Sequence, residues 1–221
     1  MTDIQQLTFS DKNKKMKVFI PVLSVLLLFI SACSDETPRL SPLLSDAVIL
    51  AFGDSLTQGN GAKENESYPA VLQALTGRKV INAGISGEES TPGLKRLPGV
   101  LEKYKPQLLI LCHGANDILR KKNMDKMESN VRQMIQLAQD NDIPVVLLGV
   151  PKFSLILSSH DVYKKIADST GVIFIEDLIP DILSGNSLKS DTVHPNKDGY
   201  RLMADTIYTV LQESGALQDY W

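Results

Sequence analysis

The sequence is poor in cysteine, histidine and tryptophan and has no excess of basic charge, and each shortage argues against a kind of function. Its two cysteines and three histidines form no cluster with further acidic residues, so we expect no metal site. The net charge of −3 leaves no basic surface for nucleic acid. A single tryptophan and the lack of an aromatic-rich stretch disfavour a sugar-binding platform. The 221 residues, 43% hydrophobic and 22% charged, fit one globular domain with a sizeable core.

The first 32 residues are typical of an export signal. An apolar run over residues 18–30 ends in small residues before Cys33, and four lysines precede it, Lys12, Lys14, Lys15 and Lys17. The run is shorter than the roughly 20 apolar residues that a membrane-spanning helix needs. Its ending on cysteine resembles a bacterial lipoprotein box. We therefore predict a lipoprotein signal peptide over residues 1–32, cleavage before Cys33 and a lipid on that residue. An ordinary signal peptide or an uncleaved anchor is the alternative.

This signal predicts an exported lipoprotein, anchored to a bacterial membrane on its periplasmic or cell-surface side. Ser34, rather than an aspartate, follows Cys33, which favours the outer membrane if the host has one. Without residues 1–32 the net charge is −5, because four lysines and two acidic residues are lost. An acidic protein does not adhere to an anionic bilayer by charge, so the lipid on Cys33 has to hold it there.

The same signal determines the predicted domain boundaries. Met16 begins a more typical signal than the first methionine, so residues 1–15 are expected to be an untranslated extension. Residues 33–45 are rich in proline and serine and are predicted to be a tether. Residues 46–221 are predicted to be the folded domain.

Apolar strands alternate with amphipathic helices from residue 46 onward. We predict strands over residues 47–52, 79–82, 108–112, 144–150 and 172–175, and helices over residues 68–75, 91–104, 124–138, 163–169 and 196–212. Thr91, which a proline follows, is predicted to cap the second of these helices. Cys112 lies in an apolar strand and is expected to be buried. The alternation predicts a mainly parallel five-stranded sheet with helices on both faces.

Four short blocks follow strands of this sheet. They are Gly53-Asp54-Ser55-Leu56, Asn82-Ala83-Gly84-Ile85-Ser86-Gly87, Gly114-Ala115-Asn116-Asp117 and Asp191-Thr192-Val193-His194-Pro195. Ligands of such sheets bind outside the carboxyl ends of the strands, so the four blocks are expected to converge on one edge. Each block alone fits ordinary turn chemistry. The ordered set supplies the parts that an acyl-transfer hydrolase needs without a cofactor.

The nucleophile and base predicted from these blocks are Ser55 and His194. A serine hydroxyl is a weak nucleophile unless a base takes its proton. Asp191 precedes His194 by three residues, so its carboxylate reaches one ring nitrogen and leaves the other free as the base. His113 ends a strand and is expected to be partly buried, whereas His160 lies in a polar stretch and is expected to be solvated. A helix N-cap is the alternative role of Ser55, and a plain turn or metal-ligand pair that of Asp191 and His194.

The predicted oxyanion donors are the backbone N–H groups of Ser55 and Gly87 and the side-chain amide of Asn116. Glycine at position 87 permits close approach of the backbone to a ligand. Gly84 is the alternative donor if the loop runs differently. Two neighbouring acids are expected to fix these loops as hydrogen-bond acceptors, Asp54 and Asp117.

The four blocks resemble those of the GDSL or SGNH hydrolase superfamily, in its thioesterase, arylesterase and lysophospholipase branch, over about residues 47–214. The resemblance implies a flavodoxin-like, three-layer α/β/α fold with no metal and no organic cofactor. It implies a catalytic triad and an oxyanion hole made by residues already named, Ser55, Asp191, His194, Gly87 and Asn116.

The segment after the fourth strand departs from the better-known members of this branch, because it is shorter here. A preference for long acyl chains is therefore in doubt. Its apolar residues are expected to form an acyl-site lip, a membrane-facing patch or part of the core, Phe153, Leu155, Ile156 and Leu157.

The predicted function is hydrolysis of acyl esters or thioesters outside the cytoplasm. The expected partners are a small acyl-ester or lipid-like substrate and the membrane that the lipid on Cys33 enters, with no nucleic acid. Two alternatives remain at the level of the sequence. One is deacetylation of a surface carbohydrate by the same mechanism, and the other is a non-catalytic lipoprotein that binds lipid or wall polymer.

Overall fold

A parallel sheet forms the centre of the computed structural model, which describes residues 38–152 and 157–217. The described residues form seven strands: β1 (Val48–Gly53), β2 (Lys79–Gly84), β3 (Leu108–Cys112), β4 (Val145–Leu148), β5 (Pro151–Lys152), β6 (Ser158–Ser159) and β7 (Ile173–Ile175). Five of them make the sheet, in the order β2-β1-β3-β4-β7, and all its neighbouring pairs are parallel. The short strands β5 and β6 pair antiparallel outside it.

Helices cover both faces of this sheet. They are α1 (Ser55–Gln58), α2 (Tyr68–Thr76), α3 (Ser90–Tyr104), α4 (Ala115–Leu119), α5 (Met124–Gln139), α6 (Asp161–Thr170), α7 (Leu178–Ser184) and α8 (Lys197–Glu213). The chain steps from β1 to β2 in one direction and from β2 through β3 and β4 to β7 in the other. Because such crossovers are right-handed, α2 lies on one face, and α3, α5 and α6 lie on the opposite face. The helix α8 packs against α2 and α7. Among the described residues, no helix is both long enough and apolar enough to span a membrane.

The central strands are buried on both faces. Ile49, Leu50, Ala51 and Phe52 of β1 and all five residues of β3 are fully inaccessible to solvent. A strand that helices cover on both sides is a continuous apolar run, which is the pattern that both segments show. The predicted three-layer α/β/α fold with a five-stranded parallel sheet is confirmed, and Cys112 is buried.

Several element boundaries differ from the predicted ones. The strand β2 continues to Gly84, and the short helices α1, α4 and α7 were not predicted. Thr91 lies inside α3 and does not cap it, because the helix begins at Ser90 with Glu89 as its N-cap. The cause is a long-range contact. Both the N–H and the hydroxyl of Ser90 donate to the carboxylate of Asp117 at 2.7 Å.

The segment around residues 40–43, predicted as part of the tether, is packed on the domain. The N–H of Leu40 donates to the carbonyl of Ser214, and that of Leu43 donates to the carbonyl of Ala216, both at 2.8 Å. The Leu43 side chain is buried. The chain therefore joins the fold some residues before the predicted boundary at 46. The predicted signal peptide and Cys33 lie outside the described residues.

A buried charge cluster joins three elements near the carboxyl edge of the sheet. Arg96 of α3 donates to the carboxylate of Glu88 through Nε and Nη2, at 2.7 Å each. Its Nη2 also donates to the backbone oxygens of Gly53, at 3.2 Å, and Ala83, at 2.8 Å. The guanidinium carbon lies 3.9 Å from the centre of the Phe52 ring, in a cation–π contact. One arginine thus ties the ends of β1 and β2 to α3.

His113 is the third member of this cluster. The N–H of Gly114 donates to its Nδ1 at 3.0 Å, so Nε2 carries the proton and donates to Glu88 at 3.1 Å. The ring is fully buried, whereas the sequence predicted partial burial. A Cβ on Gly93 would lie 2.2 Å from Nε2, so α3 packs directly against this ring. Both ring nitrogens of His113 therefore have hydrogen-bond partners inside the protein.

The surroundings of Glu88 favour its ionised form. Burial raises the pKa of this carboxyl group, but hydrogen bonds from His113 and Arg96 and the charge of Arg96 outweigh burial. The net effect is a pKa below the ordinary value of 4.5. A carboxylate whose pKa is lower in the folded state stabilises the fold above its unfolded pKa. That stabilisation is lost as the pH falls through the folded pKa.

We predict that Glu88→Gln lowers the free energy of unfolding at neutral pH by about 1–3 kcal/mol, because the amide has no charge and only one acceptor oxygen for the donors on Arg96 and His113. Urea denaturation of both proteins measures this difference. It should shrink as the pH falls below about 4.5, where the carboxyl group of the unfolded chain takes up a proton, and disappear below the lower pKa of the folded state.

The matched control for this prediction is Glu102→Gln, an exposed residue of α3, the helix that carries Arg96. It should change the free energy of unfolding by no more than about 0.5 kcal/mol at any pH. A difference for Glu88→Gln that stays constant through the acid range contradicts the assignment of an ionised, paired Glu88.

Candidate active site

Ser55 occupies the sharp junction between β1 and α1. Asp54 is the N-cap of α1 and accepts a hydrogen bond from the N–H of Leu56 at 3.1 Å. This cap begins a helix immediately at the end of the strand and places Ser55 in its first turn, at the carboxyl edge of the sheet. The backbone N–H of Ser55 has no acceptor within the described ranges. Its hydroxyl and N–H thus both remain available at this edge.

The imidazole of His194 joins Ser55 to Asp191. Its Nε2 lies 3.0 Å from the Ser55 Oγ, and its Nδ1 lies 2.8 Å from an Asp191 carboxylate oxygen. An ionised carboxylate accepts only, so Nδ1 carries the proton and Nε2 accepts from the serine hydroxyl. The loop is pinned by Asn196, which caps α8 by accepting from the N–H groups of the second and third helical residues.

The carboxylate of Asp191 has a second set of donors. Partial burial raises its pKa, but the hydrogen bond from the His194 ring and those from the N–H groups of Val193 and His194 outweigh burial. The pKa of Asp191 therefore lies below its ordinary value of 3.8. The two backbone bonds are 2.8 Å long and hold the carboxylate in the orientation that meets the ring. At neutral pH this group is a negative charge beside the imidazole.

Asn116 lies in α4, close to the serine. Its Nδ2 donates to the backbone oxygen of Glu88 at 3.1 Å and to the carboxylate of Asp54 at 3.3 Å. Both N–H groups of the amide therefore have acceptors. The acids Asp54 and Asp117 act as loop-fixing acceptors, as the sequence indicates.

The loop after β2 presents Gly87 to the same space. Gly87 has a φ of +73°, a left-handed conformation that glycine adopts without strain, and its N–H has no acceptor in the described part of the chain. The N–H of Gly84, the alternative donor, is bound to the Asn82 side chain at 3.0 Å. Gly87 and not Gly84 lines the cavity in front of the serine.

Two residues that the sequence did not single out hold this loop in place. Gln58 accepts a hydrogen bond from the N–H of Ser86 at 2.6 Å, and Asn60 donates to the Ser86 hydroxyl at 2.8 Å. Both come from the end of α1 and the turn after it, 28 and 26 residues before their partner. No local pattern marks such a pair, since the contact depends on the pairing of β1 with β2.

A cavity of about 140 Å³ opens in front of Ser55 and His194. Its volume is small beside the roughly 300–1,000 Å³ of pockets for drug-sized ligands. Besides the polar groups above, it has an apolar lining made by Leu56, Ala115, Leu119, Pro151, Leu183 and Val193.

Leu157 and His160, two further residues singled out from the sequence, are not among the residues that line this cavity. Leu157 is half-buried and packs against the core, whereas Phe153, Leu155 and Ile156 lie outside the described residues. His160 is half-buried and caps α6, with its Nδ1 3.3 Å from the N–H of Val162.

Comparison with known proteins gives the chain a family. Residues 51–202 match the model of the GDSL-like lipase/acylhydrolase family. An arylesterase of Vibrio mimicus is 30% identical over 203 residues, which cover 85% of this chain and 96% of that protein. Thioesterase 1/protease 1/lysophospholipase L1 of Escherichia coli K12 is 27% identical over 210 residues, 90% of this chain and 95% of the relative.

A solved structure agrees with these sequence matches. The psychrotrophic esterase EstA from Pseudoalteromonas sp. superposes with a TM-score of 0.68 at 28% identity, covering 76% of this chain and 98% of that one. The chain belongs to the GDSL-like lipase/acylhydrolase family and is a serine hydrolase that acts on ester bonds.

Proposed function

We propose that the protein is an extracytoplasmic esterase that cleaves acyl esters or thioesters through a Ser55-His194-Asp191 triad. The observation that carries this proposal is the unbroken line of hydrogen bonds, 3.0 Å and 2.8 Å long, from the Ser55 hydroxyl through His194 to Asp191. At its Ser55 end, this line faces a cavity that has apolar side chains on one side and hydrogen-bond donors on the other. This is the arrangement that nucleophilic acyl transfer requires.

In the first half of the reaction, Ser55 Oγ attacks the acyl carbon while its proton moves to Nε2 of His194. The tetrahedral intermediate collapses, the acyl–oxygen or acyl–sulfur bond breaks, and the leaving group takes that proton. Asp191 keeps the ring oriented and stabilises the imidazolium. In the second half, water gives a proton to His194, attacks the acyl-enzyme and releases the acid, and the proton returns to Ser55.

The negative oxygen of each tetrahedral intermediate has three proposed donors. The N–H groups of Ser55 and Gly87 have no acceptor among the described residues, and the Asn116 amide lies beside them at the cavity wall. Donors that are already oriented in this way stabilise charge that develops in the transition state.

The size of the cavity supports short acyl groups as substrates. About 140 Å³ with a lining of aliphatic side chains accommodates an acyl chain of a few carbons. A longer chain has to extend past the exposed rim residue Leu119 into solvent, where it loses the burial that favours binding.

The sequence of the leader supports a location outside the cytoplasm, on the periplasmic or cell-surface side of a membrane. A basic segment, an apolar run and small residues before Cys33 are the features of a lipoprotein signal. We therefore propose that a lipid on Cys33 anchors the mature chain, in the outer membrane if the host has one. The arrival of the chain at the fold by Leu40 leaves a short connection to that anchor.

We predict that Ser55→Ala abolishes turnover of p-nitrophenyl butyrate and labelling by a fluorophosphonate probe. The structure of the EstA relative was solved with monoethylphosphonate as inhibitor, so a phosphonate is a suitable probe.

Asn116→Ala should lower kcat by about 10²–10³, with a small change in KM, because an oxyanion donor acts in the transition state. Ser129→Ala, an exposed serine of α5, is the matched control and should keep full activity and labelling. Full activity of purified Ser55→Ala overturns the proposal, and an unlabelled wild-type protein favours the non-catalytic alternative.

A panel of p-nitrophenyl esters tests the size of the acyl group. We expect kcat/KM to be highest for acetyl to butyryl esters and to decline for octanoyl and longer ones, because only the short chains fit the cavity. Leu183→Ala, which shortens a side chain of the apolar wall and so enlarges the cavity, should move the maximum of kcat/KM to longer acyl chains. An optimum at long chains in the wild type, or one that Leu183→Ala leaves unmoved, contradicts this assignment of the cavity.

Metabolic labelling with an alkyne-tagged fatty acid tests the anchor. The wild-type chain expressed in a bacterium should take up the label and remain in the membrane fraction. Cys33→Ser should take up no label and leave that fraction, whereas Cys112→Ser, at the buried cysteine, should behave like the wild type. Release of the unmutated protein without label shows an ordinary signal peptide instead.

A further inference from the structure

Arg120 lies directly beside the loop that carries Gly87. It follows the last residue of α4, and its backbone N–H donates to the carbonyl of Asn116 at 3.0 Å. A Cβ built on Gly87 would be 3.3 Å from Nη2 of Arg120, so the guanidinium covers the outer side of that glycine. Nearly half of the Arg120 side chain, 48%, is exposed. The guanidinium is therefore partly exposed and adjacent to two residues that line the cavity, Gly87 in space and Leu119 in sequence.

The charges around Arg120 do not cancel. Its Nη1 donates to Glu89 at 2.7 Å, and Lys122 lies 3.3 Å from the same carboxylate oxygen. Lys121 is exposed and has no ion pair among the described residues. Two cations thus share one carboxylate and a third, Lys121, lies next to them in the sequence, in a chain that has more acidic residues than basic ones.

The neighbouring acidic side chains Glu88 and Asp117 already have hydrogen-bond partners other than Arg120. Glu88 is bound to Arg96 and His113, and Asp117 accepts twice from Ser90. No carboxylate among the described residues accepts from Nη2 of Arg120, although Nη1 has one. The side of the guanidinium that faces Gly87 is therefore free to donate to an anion.

We propose that Arg120 is a specificity-determining residue that binds an anionic group, a carboxylate or a phosphate, carried by the ester substrate. The proposal rests on the esterase function and adds the charge of the substrate to it. A guanidinium presents its donors in a planar fork that matches both groups. The anion belongs either to the leaving alcohol or to the far end of the acyl group, and the two are distinguished by experiment.

Glu89 has the opposite effect in this scheme. Its carboxylate holds Nη1 and partly neutralises the cation that the substrate needs. Removing the charge of Glu89 should therefore strengthen the binding of an anionic substrate, whereas removing the charge of Arg120 should weaken it. If the salt bridge only stabilised the loop, the loss of either partner would lower activity on anionic and neutral esters alike.

The test compares two pairs of esters that differ in one charge. In one pair the charge is on the leaving group, 4-carboxyphenyl butyrate against 4-carbamoylphenyl butyrate. In the other it is on the acyl group, monomethyl glutarate against methyl glutaramate. The readout is the ratio of kcat/KM for the anionic ester to that for its neutral partner, measured with the wild type and with each variant.

We expect Arg120→Gln to lower this ratio about tenfold or more in one of the two pairs, which identifies the side that carries the anion. Arg120→Lys should retain part of the ratio because it keeps the charge. Glu89→Gln should raise the ratio severalfold. Added salt should reduce the wild-type ratio, since the interaction is at an exposed rim. Arg132→Gln is the matched control, because Arg132 also pairs with a glutamate, Glu128, but on the distant helix α5. It should leave the ratio unchanged.

Two results overturn the inference while the esterase function stands. One is a ratio that Arg120→Gln does not change in either pair. The other is a proportional loss on all four esters in both Arg120→Gln and Glu89→Gln, which indicates a purely structural salt bridge. A wild-type protein that hydrolyses none of the esters overturns the proposed function itself.

Discussion

The registered pairing of three parallel strands is the constraint on which the rest of the site depends. Gly53 at the end of β1 is opposite Gly84 of β2 on one side and Cys112 of β3 on the other. Three loops therefore begin at one level and within two strand spacings of one another, about 10 Å. One loop brings the serine, one brings Gly87 and one brings Asn116. A slip of one residue in either pairing would turn the side chains of the shifted strand to the opposite face of the sheet and displace the loop that follows it.

Sequence patterns predicted the sheet and the residues that now meet at its edge, because strands and their terminal motifs are local features. Asp191 and His194 could be paired from their spacing of three residues, whereas Ser55 was linked to them because their motifs were expected to converge at one edge of the sheet. The short helices could not be predicted, since four to seven residues are too few to show a helical period. The charge cluster was missed for another reason. Arg96 and Glu88 lie eight residues apart across a loop and a helix turn, and only the tertiary fold brings them to a buried histidine that follows a strand. Long-range polar contacts of this kind leave no mark in a single sequence.

The same contacts divide the residues around the cavity into rigid and adaptable parts. The loop of Gly87 is held from one side by the end of α1 and from the other by the buried cluster around Glu88, so its donors are fixed before a substrate arrives. Beyond it lie the exposed Leu119 at the end of a five-residue helix and the exposed charged side chains of the turn that follows. In the proposed mechanism the chemistry takes place in the buried part, and the solvated part selects the substrate. This division permits the specificity of such an enzyme to change without loss of its reactive groups.

Both amide hydrogens of Asn116 already have acceptors when no substrate is bound. An incoming substrate has to displace the peptide oxygen of Glu88 or the carboxylate of Asp54 before it receives either hydrogen. A neutral carbonyl is a weak competitor for that exchange, whereas an oxygen that has acquired a full charge is a strong one. In the proposed mechanism the asparagine therefore contributes little to the binding of the unreacted ester and stabilises mainly the transition state. An enzyme that acts in this way lowers the activation barrier without binding its substrate too tightly.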